Sequence, residues 1–565
     1  MFDDVIENLN RERSVTFFST SEYEYVGMVH VNGGDIKLGI SVKDGFPKCF
    51  PVIRILDYSG FLPHVSSNGE MCLFNMESVM IREDRPNEIM LDSYDRAIEI
   101  LNMDPMVRKR EIFREFATYW DNKTIKNVSI YSNLIESKLH EYQEYLVIGS
   151  NQKWLVVSDS IDESKYILKL SMNCIFDEDK MIQIPCIRIR LRESALPPKM
   201  NKPFAWSEIR NFILRNITGS QKRRFKWLLS GRNTTINMFL LLVIPSMFGD
   251  QYACLWLHYK NHKNMALKNI PDCKVEAVKI IRMDQTYMLA RGGAETNMKE
   301  NSVLLIGCGS IGGFIAENIC QCGINKLDIL DKDKLTVDNV HRHVLGFNDA
   351  VAGEYKAKLM KSHLEAKYPH VDIDSLDYND RTAETFLREP SRLKKYDLII
   401  SATGNPTVDL AINDKLCEMK EAPSFVVCFN EPYGIGGHAV AILKNGACLR
   451  CLYSDPVSGE LVPFLGSFVK PNQSFLKSMS GCAGTYVEYS ALDSQQTAIM
   501  ATRLIIDVLN GKVDHTRLNS WIGPTERLEE AGYEASEYYK ELVSEGLTTI
   551  AKDIPRVERC ITCGR

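Results

Sequence analysis

The first part of the chain alternates apolar and polar residues in three short segments, which is the period-two pattern of half-buried β-strands. The Asn32-Gly33-Gly34 sequence favours a hairpin turn, because glycine adopts backbone angles that other residues avoid. Apolar residues then recur at helical spacing in two segments. This order predicts an α+β domain over residues 1–145. The predicted strands are 15–18, 25–31 and 36–42, and the predicted helices are 90–102 and 107–119.

The pattern changes at about residue 146, where strand-like runs such as 153–158 and 187–191 begin. One basic stretch, 222–226, is either a solvated helix face or a docking patch for an acidic partner. No catalytic motif occurs between residues 146 and 283. The sequence therefore predicts a middle α+β linker domain and does not assign it a role.

From residue 303 onward, strand-like and helical segments alternate. A buried strand at 303–306 leads into a glycine-rich turn and a helix, and further strands follow at 327–330 and 397–401. Such alternation is typical of a mainly parallel sheet with helices on both faces. The sequence therefore predicts a multidomain α/β protein whose third domain, residues 284–565, is Rossmann-like.

The overall composition excludes several classes of protein. The 565 residues are 45% hydrophobic, which is enough to build folded cores. The 68 basic and 73 acidic side chains give a net charge of −5, so we expect no nucleic-acid partner. The longest apolar run, 236–244, is shorter than the ~20 residues of a membrane-spanning helix. No signal-peptide pattern opens the chain, so we expect a cytoplasmic protein whose 16 cysteines are reduced.

The glycine-rich turn has the pattern that binds nucleotide phosphates. Gly307, Gly309 and Gly312 follow a strand and open a helix, so the backbone can approach a phosphate and the helix amino terminus supplies N–H donors. Asp331 ends the next strand, where its carboxylate can accept hydrogen bonds from ribose hydroxyls. These features alone fit any nucleotide or dinucleotide fold, including a nicotinamide oxidoreductase.

The segment that begins at Asp331 narrows the choice. Residues 331–343 resemble the "DxDxVexSNLNRQ" segment of the ThiF/MoeB/ubiquitin-activating (E1-like) adenylation family, and Lys356 falls at the position of the family's "GKxKA" lysine. The resemblance implies an ATP site that includes Asp333 and Asn339. It also implies that Arg342 and Lys356 stabilise the negative charge that builds on the departing pyrophosphate.

Two further positions bear on the metal and the oligomeric state. Gly404 replaces the family's Mg²⁺-binding aspartate, and glycine has no side chain that can ligate a metal. Asp333, Asp397 and Asp409 are therefore the candidates for a replacement oxygen. Arg291 lies roughly where the family has an arginine that reaches into the partner subunit's ATP site, and the resemblance implies a homodimer.

Two CxxC pairs predict a metal site. Cys448 with Cys451, and Cys560 with Cys563, together offer four thiolates to one tetrahedral ion. We expect a structural Zn²⁺ site, and unpaired reduced thiols are the alternative. The same paired cysteines occur in the ThiF/MoeB-like branch.

A cysteine between the two CxxC pairs is a candidate nucleophile. Cys482 lies between Gly481 and Gly484, shortly before an apolar helical stretch at 498–509. The resemblance to activating enzymes implies that Cys482 forms a thioester, since a thiolate is a strong nucleophile. Ser480, which would form an oxyester, is one alternative, and a small buried cysteine is the other.

The amino-terminal domain carries a second candidate thiol. Gly69, Cys72 and Leu73 match the "HPNxxxxGxxCL" signature of ubiquitin-conjugating (E2-like) enzymes, with Cys72 at the thioester-carrying position. Leu62 and His64 stand where that signature has histidine and asparagine. An imidazole at this position can donate a hydrogen bond to an oxyanion or, when neutral, act as a base.

Together the two modules resemble the bacterial E2–E1 fusion proteins of antiphage islands, especially CBASS operons. The resemblance implies a relay that uses ATP and Mg²⁺. The carboxyl-terminal glycine of a protein, either ubiquitin-like or a cyclic-oligonucleotide synthase, would be adenylated, captured on Cys482, passed to Cys72 and joined to an amine of a target protein. The alternatives are a sulfur-carrier adenylyltransferase, which has no need of the first domain, a nicotinamide oxidoreductase and a catalytically inactive scaffold.

Overall fold

The computed structural model of the chain divides into two compact units. The first comprises Met1–Lys169 and Asn173–Asp284, and the second comprises Leu170–Met172 and Gln285–Arg565. Among the described residues, no helix has the length and apolar character needed to cross a membrane. The described residues are 2–21, 24–42, 45–58, 62–66, 68–134, 142–150, 154–171, 181–193, 195, 204–270, 273–294, 296–368, 370–376, 388–444, 446–478 and 485–564.

The first unit begins with a four-stranded antiparallel sheet in the order β1-β2-β3-β4. Alternate residues of β2 are buried, which is why its sequence alternates. Two helices, α1 and α2, pack on this sheet, and the second begins at Pro86, a residue that suits the first helical turn. These elements are α1 Phe2–Arg13, β1 Phe17–Ser21, β2 Glu24–Val31, β3 Gly34–Ser41, β4 Val52–Ile55 and α2 Pro86–Leu101.

The helix predicted at 107–119 is two helices, α3 (Pro105–Arg114) and α4 (Phe116–Asp121). The break falls at Glu115, whose backbone leaves the helical region with φ −100° and ψ 7°. Apolar spacing continues through both helices, so periodicity alone could not reveal the break.

Seven strands then close into a barrel in the order β10-β11-β5-β7-β6-β8-β9. Apolar side chains such as Val147, Val157 and Phe239 fill the barrel, and the apolar run 236–244 lies in β9. The barrel begins at Thr124. Its first strand and part of its second therefore precede residue 145, the predicted end of the first domain. The strands are β5 Thr124–Asn133, β6 Tyr142–Ser150, β7 Trp154–Ser158, β8 Met181–Arg190, β9 Arg232–Ile244, β10 Gln251–Ala266 and β11 Lys274–Arg282.

Helices accompany the barrel and carry the basic stretch. Phe225 faces the core from α7, whereas Arg223, Arg224 and Lys226 are exposed. The stretch therefore lies on the exposed face of an amphipathic helix, and a docking role for it stays a hypothesis. The helices are α5 Ile161–Tyr166, α6 Trp206–Asn216 and α7 Gly219–Ser230.

The second unit contains an eight-stranded sheet in the order β14-β13-β12-β15-β16-β17-β20-β21 among its described residues. The first five strands in this order pair in parallel, and the last three are antiparallel. A separate two-stranded ribbon, β18 with β19, completes the strands. They are β12 Ser302–Ile306, β13 Lys326–Leu330, β14 Asp372–Ser375, β15 Leu398–Ser401, β16 Ser424–Asn430, β17 Gly436–Ile442, β18 Leu476–Ser478, β19 Thr485–Val487, β20 Arg517–Ile522 and β21 Thr549–Asp553.

Helices cover both faces of this sheet, as the sequence predicts. Residues of α9, α11 and α13 pack into one core, while Ile412 and Leu416 of α12 pack into the core of the opposite face. This is the doubly wound architecture, in which ligands bind at the carboxyl ends of the parallel strands. The helices are α8 Gln285–Gly292, α9 Gly312–Gln321, α10 Phe347–Val351, α11 Lys356–Lys367, α12 Pro406–Glu418, α13 Ala491–Leu509, α14 Glu526–Glu530 and α15 Glu537–Ser544.

Candidate functional site

The glycine turn between β12 and α9 borders a cavity of about 720 Å³. Gly307 has φ +91°, and a Cβ on Gly312 would lie 1.9 Å from the Gly307 carbonyl oxygen, so both positions require glycine. Gly309 is different, because a Cβ there would meet no protein atom within 4 Å. Glycine at 309 therefore leaves room on the cavity side, where a ligand can approach the backbone.

Asp331 braces the turn from the end of β13. Its Oδ2 accepts the Cys308 N–H at 2.6 Å, and its Oδ1 accepts the Asp333 N–H at 2.8 Å. Burial raises the pKa of Asp331, although nearby Lys356 and the two N–H donors oppose the rise. Asp331 also lines the cavity. The contact of its carboxylate with a ribose stays a prediction, whereas its hydrogen bonds to the turn are observed.

The two predicted cations both line the cavity. Lys356 begins α11, is largely buried, and lies with Nζ 3.2 Å from Asp333 Oδ2. Arg342 lies over the ring of Tyr489, with 5.7 Å from its guanidinium carbon to the ring centre. A cation held over an aromatic face is attracted by the ring and restricted in position.

Asn339 and Arg291 have different surroundings. Asn339 lines the cavity, and its Oδ1 accepts the Thr336 hydroxyl at 3.1 Å. Arg291 is exposed in the last turn of α8 and does not line the cavity of its own chain. Its reach into a partner subunit stays a prediction.

Two of the three candidate replacements for the metal-binding aspartate lie at the cavity. Asp333 and Asp409 line it together with Gly404. Asp397 instead accepts the Ser302 N–H at 2.8 Å, at the start of β12 and therefore at the opposite end of the parallel strands. This placement removes Asp397 from the candidates.

Asp409 has the environment of a functional carboxyl group. Burial raises its pKa to about 6, although the hydroxyls of Ser401 and Thr403 donate to Oδ1 at 2.5 and 3.0 Å and oppose the rise. A carboxylate that is costly to ionise and lines a cavity is suited to bind a cation.

Two residues that sequence analysis did not single out also shape the site. His343 is buried, and its ring links the Cys308 carbonyl at 2.7 Å to the Leu345 N–H at 3.1 Å. Tyr489 places its hydroxyl 3.0 Å from Ser310 Oγ in the glycine turn. No motif identified Tyr489, because it meets the turn only through the folding of a distant segment.

The β18–β19 ribbon forms part of the cavity wall through Leu476, Tyr486 and Val487. Lys477 and Glu488 form an ion pair at 2.5 Å, which joins the two sides of the ribbon. Cys482 and Ser480 belong to the segment between β18 and β19, and both lie outside the described residues.

The four CxxC cysteines meet as predicted. Their Sγ atoms all lie within 4.8 Å of one another, with Cys448 and Cys560 3.6 Å apart and Cys451 and Cys563 3.4 Å apart. Tetrahedral bonds of ~2.3 Å would separate sulfur atoms by about 3.8 Å, so the cluster fits Zn²⁺.

Asp414 supports the cluster from outside. It forms an ion pair with Arg450 of the first CxxC segment and accepts the Thr562 hydroxyl of the second at 2.8 Å. Cys417 is a fifth thiol nearby, hydrogen-bonded to Cys448. Partners outside a metal site hold its ligands in orientation.

Cys72 is exposed in the first unit, and its backbone N–H donates to the His64 carbonyl at 2.7 Å. The His64 ring has Nδ1 2.5 Å from Glu115 and Nε2 3.5 Å from Glu111. Both ring nitrogens therefore face carboxylates, so the arrangement does not leave the ring open to an oxyanion near Cys72. The catalytic role predicted for His64 has no support in this geometry.

Two family models match the chain in this order. The Prokaryotic E2 family B model matches residues 10–128, and the ThiF family model matches residues 284–518. The chain therefore combines an E2-like domain with an E1-like ThiF adenylation domain.

Three relatives illustrate the likeness. The chain is 22% identical over 555 residues to ATP-dependent ubiquitin transferase-like protein Cap2 of Escherichia coli (strain TW11681). This alignment covers 88% of this chain and 89% of the Escherichia coli protein. The Cap2 protein of Vibrio cholerae serotype O1 is 23% identical over 80% of this chain and 81% of its own. The sulfur carrier protein adenylyltransferase of Thermus thermophilus is 26% identical over 32% of this chain and 67% of its own. The chain is thus Cap2-like along most of its length.

The cysteine cluster gives a direct test of metal binding. We expect the purified chain to carry about one Zn²⁺, and Cys451→Ser to lose most of it and to unfold at lower temperature, because three ligands hold zinc less firmly than four. Elemental analysis and thermal unfolding measure the two effects. Cys322→Ser, at a partly buried cysteine outside the cluster, is the matched control and should keep the metal. Equal zinc loss in both variants would contradict the assignment.

Asp409 gives a pH-dependent test. Its pKa of about 6 in the folded protein lies above the ordinary 3.8, so the folded state loses stability as the pH rises from about 4 through 6. Asp409→Asn removes this cost and should gain on the order of 2 kcal/mol at pH 8, with the gain vanishing near pH 4. Thermal unfolding across this pH range measures it. The exposed Asp338→Asn is the control, and a gain that is equal at pH 4 and pH 8 would refute the explanation.

Proposed function

We propose that this protein activates the carboxyl-terminal glycine of a substrate protein with ATP and conjugates it to an amine of a target protein. The substrate is a ubiquitin-like protein or a cyclic-oligonucleotide synthase, as in the antiphage family that the sequence resembles. The observation that carries the proposal is one cavity lined by Gly309, Asp333, Arg342 and Lys356 and walled in part by the ribbon that flanks Cys482 in the sequence.

The first step is adenylation. A carboxylate oxygen of the terminal glycine attacks the α-phosphorus of ATP, the bond to the β-phosphate breaks, and pyrophosphate leaves. The glycine turn binds phosphate oxygens through its backbone, and Arg342 and Lys356 offset the charge that builds on the leaving group.

The cavity also has oxygen ligands for Mg²⁺. Asp333 and Asp409 are the side chains we assign to hold the ion in the absence of an aspartate at position 404. When bound, Mg²⁺ neutralises phosphate charge and orients the polyphosphate. In the structure, the buried carboxyl group of Asp409 accepts hydrogen bonds from the hydroxyls of Ser401 and Thr403.

The next steps move the acyl group between sulfur atoms. The Cys482 thiolate attacks the acyl carbon and AMP leaves; the Cys72 thiolate then attacks the thioester and the Cys482 thiolate leaves. An amine of the target attacks the Cys72 thioester, loses a proton and forms an amide, and the Cys72 thiolate is released. The exposure of Cys72 supports its part, since a carrier thiol must meet two partners.

Two further parts of the proposal concern assembly. We propose that the chain acts as a cytoplasmic homodimer, with Arg291 reaching the ATP cavity of the partner subunit. The four-cysteine cluster would hold a structural Zn²⁺, since all four thiols serve as ligands and no position is left open for chemistry.

A sulfur-carrier adenylyltransferase is the alternative. The likeness to the Thermus thermophilus enzyme favours it for the ThiF region. That function uses the ATP cavity and needs no exposed thiol in the first unit, so the fate of Cys72 distinguishes the two proposals.

The relay predicts different defects for two cysteine variants. Incubated with ATP and the products of neighbouring genes, Cys482→Ala should form adenylate and no thioester, and Cys72→Ala should hold the acyl group on Cys482. Pyrophosphate exchange and non-reducing gels with mass spectrometry measure these products. Cys322→Ala, at a partly buried cysteine with no part in the relay, is the control and should behave as wild type. Full target modification by Cys72→Ala would overturn the role assigned to Cys72. Adenylate formation by the wild type with no acyl group on Cys72 would favour the sulfur-carrier alternative.

Arg342 gives a test of the adenylation step. Arg342→Ala should slow pyrophosphate exchange by a factor that corresponds to about 2–4 kcal/mol, the range for removing one group that stabilises transition-state charge. Arg503→Ala, which removes an exposed arginine of α13, is the matched control. An unchanged exchange rate in Arg342→Ala would exclude this residue from the step.

A further inference from the structure

The backbone around Cys72 is held at His64. The Cys72 N–H donates to the His64 carbonyl at 2.7 Å, so the position of Cys72 follows that of His64. His64 itself has φ +60°, a conformation that non-glycine residues adopt mainly when their surroundings impose it. The surroundings of His64 therefore matter for the thiol eight residues later in the chain.

Three side chains of α3 and α4 surround His64. Its backbone N–H donates to the Tyr119 hydroxyl at 2.6 Å and to Glu115 Oε2 at 3.1 Å. Its Nδ1 lies 2.5 Å from Glu115 and its Nε2 3.5 Å from Glu111, with the His64 side chain only 15% exposed. The Tyr119 hydroxyl also donates to Glu115.

Glu115 is the centre of this cluster. Burial alone would raise its pKa, but hydrogen bonds from His64 and Tyr119 outweigh burial and lower the pKa of the carboxyl. Glu115 and Glu111 lie on opposite sides of the His64 ring, one at each ring nitrogen. These contacts on both sides hold the ring in place.

The two helices are themselves fixed to the barrel. The side chain of Asp104 accepts the Met106 N–H at 2.7 Å and caps α3. Phe116 and Trp120 are buried with barrel residues, and the Trp120 indole N–H donates to the Val278 carbonyl at 3.0 Å. The cluster therefore joins the Cys72 segment to a rigid support within the same unit.

We propose that Glu111, Glu115 and Tyr119 are positioning residues for the Cys72 thiol and that they act through His64. The inference deepens the proposed relay and rests on it for the acyl-transfer step. The helices between the E2-like sheet and the barrel thereby form part of the conjugating site, and His64 serves as a structural link, with its backbone carbonyl as the atom that matters for Cys72.

The test compares Tyr119→Phe and Glu115→Gln with wild type in the full chain. Both substitutions keep the shape of the side chain, and Glu83→Gln is the matched control, since Glu83 is exposed and pairs with Lys48. Amide hydrogen exchange of the peptide that contains Cys72 should become about two- to tenfold faster in both cluster variants, the change expected when a hydrogen bond that restrains the segment is lost.

The second measurement is transfer from Cys482 to Cys72 in a single turnover. We expect the maximal rate to fall about tenfold, because a displaced thiol misses the reacting carbon, with no change in the half-saturating concentration of the substrate protein. The double variant should lose no more than Glu115→Gln alone, since both residues act through His64.

The outcomes separate this inference from the proposed function. Faster exchange with slower transfer supports the inference; unchanged exchange, or faster exchange with unchanged transfer, overturns it. If wild-type Cys72 never receives an acyl group, the proposed relay fails. In that case the positioning role is tested by the rate at which iodoacetamide alkylates Cys72, measured from the mass of the peptide that contains it. A rate that differs at least about twofold between wild type and the two cluster variants supports the role, and an equal rate overturns it.

Discussion

The adenylation domain depends on the carboxylate of Asp331. One oxygen holds the Cys308 N–H of the glycine turn, and the other holds the Asp333 N–H of the segment that follows β13. The two backbone N–H donors offset part of the cost of burying this carboxylate, and the carboxylate in turn holds the ends of two strands. The glycine turn and the segment that leads to Asn339 and Arg342 are therefore held by the same side chain.

The other charged groups of the cavity are held by similar local means. Lys356 is anchored through its backbone N–H to the Asp333 carbonyl at 2.9 Å and through Nζ to the Asp333 carboxylate. Tyr489 restrains Arg342 and also contacts Ser310 of the turn. Charges that are held before a ligand arrives need little reorganisation when the reaction begins. The cavity therefore presents both cations in fixed positions.

The first unit follows the same principle with fewer charges. Cys72 is exposed, yet its backbone is tied to His64, and His64 is tied to two helices that pack on the barrel. The middle region has no catalytic motif of its own, but its barrel supports the helices that hold the Cys72 segment. β5, which precedes the predicted middle region, pairs in parallel with β11 at the end of that region, so the barrel needs residues from both predicted domains.

The sequence alone determined those parts of the protein in which a local pattern carries the physical cause. The strands at 25–31 and 303–306, the glycine turn and the two CxxC pairs each have a spacing that a single local structure requires, and each is found as predicted. Short motifs also predicted the E2-like and the ThiF-like domains, and a family model matches each of them.

The tertiary structure decided what depends on contacts between distant segments. It distinguished Asp409 from Asp397, which are equally plausible in sequence but lie at opposite ends of the parallel strands. It brought Tyr489 to the glycine turn, divided the helix at Glu115, and surrounded His64 with carboxylates. The spacing of apolar residues indicates which face of a helix or strand is buried. It does not indicate which distant residues pack against that face, because those contacts form only when the chain folds.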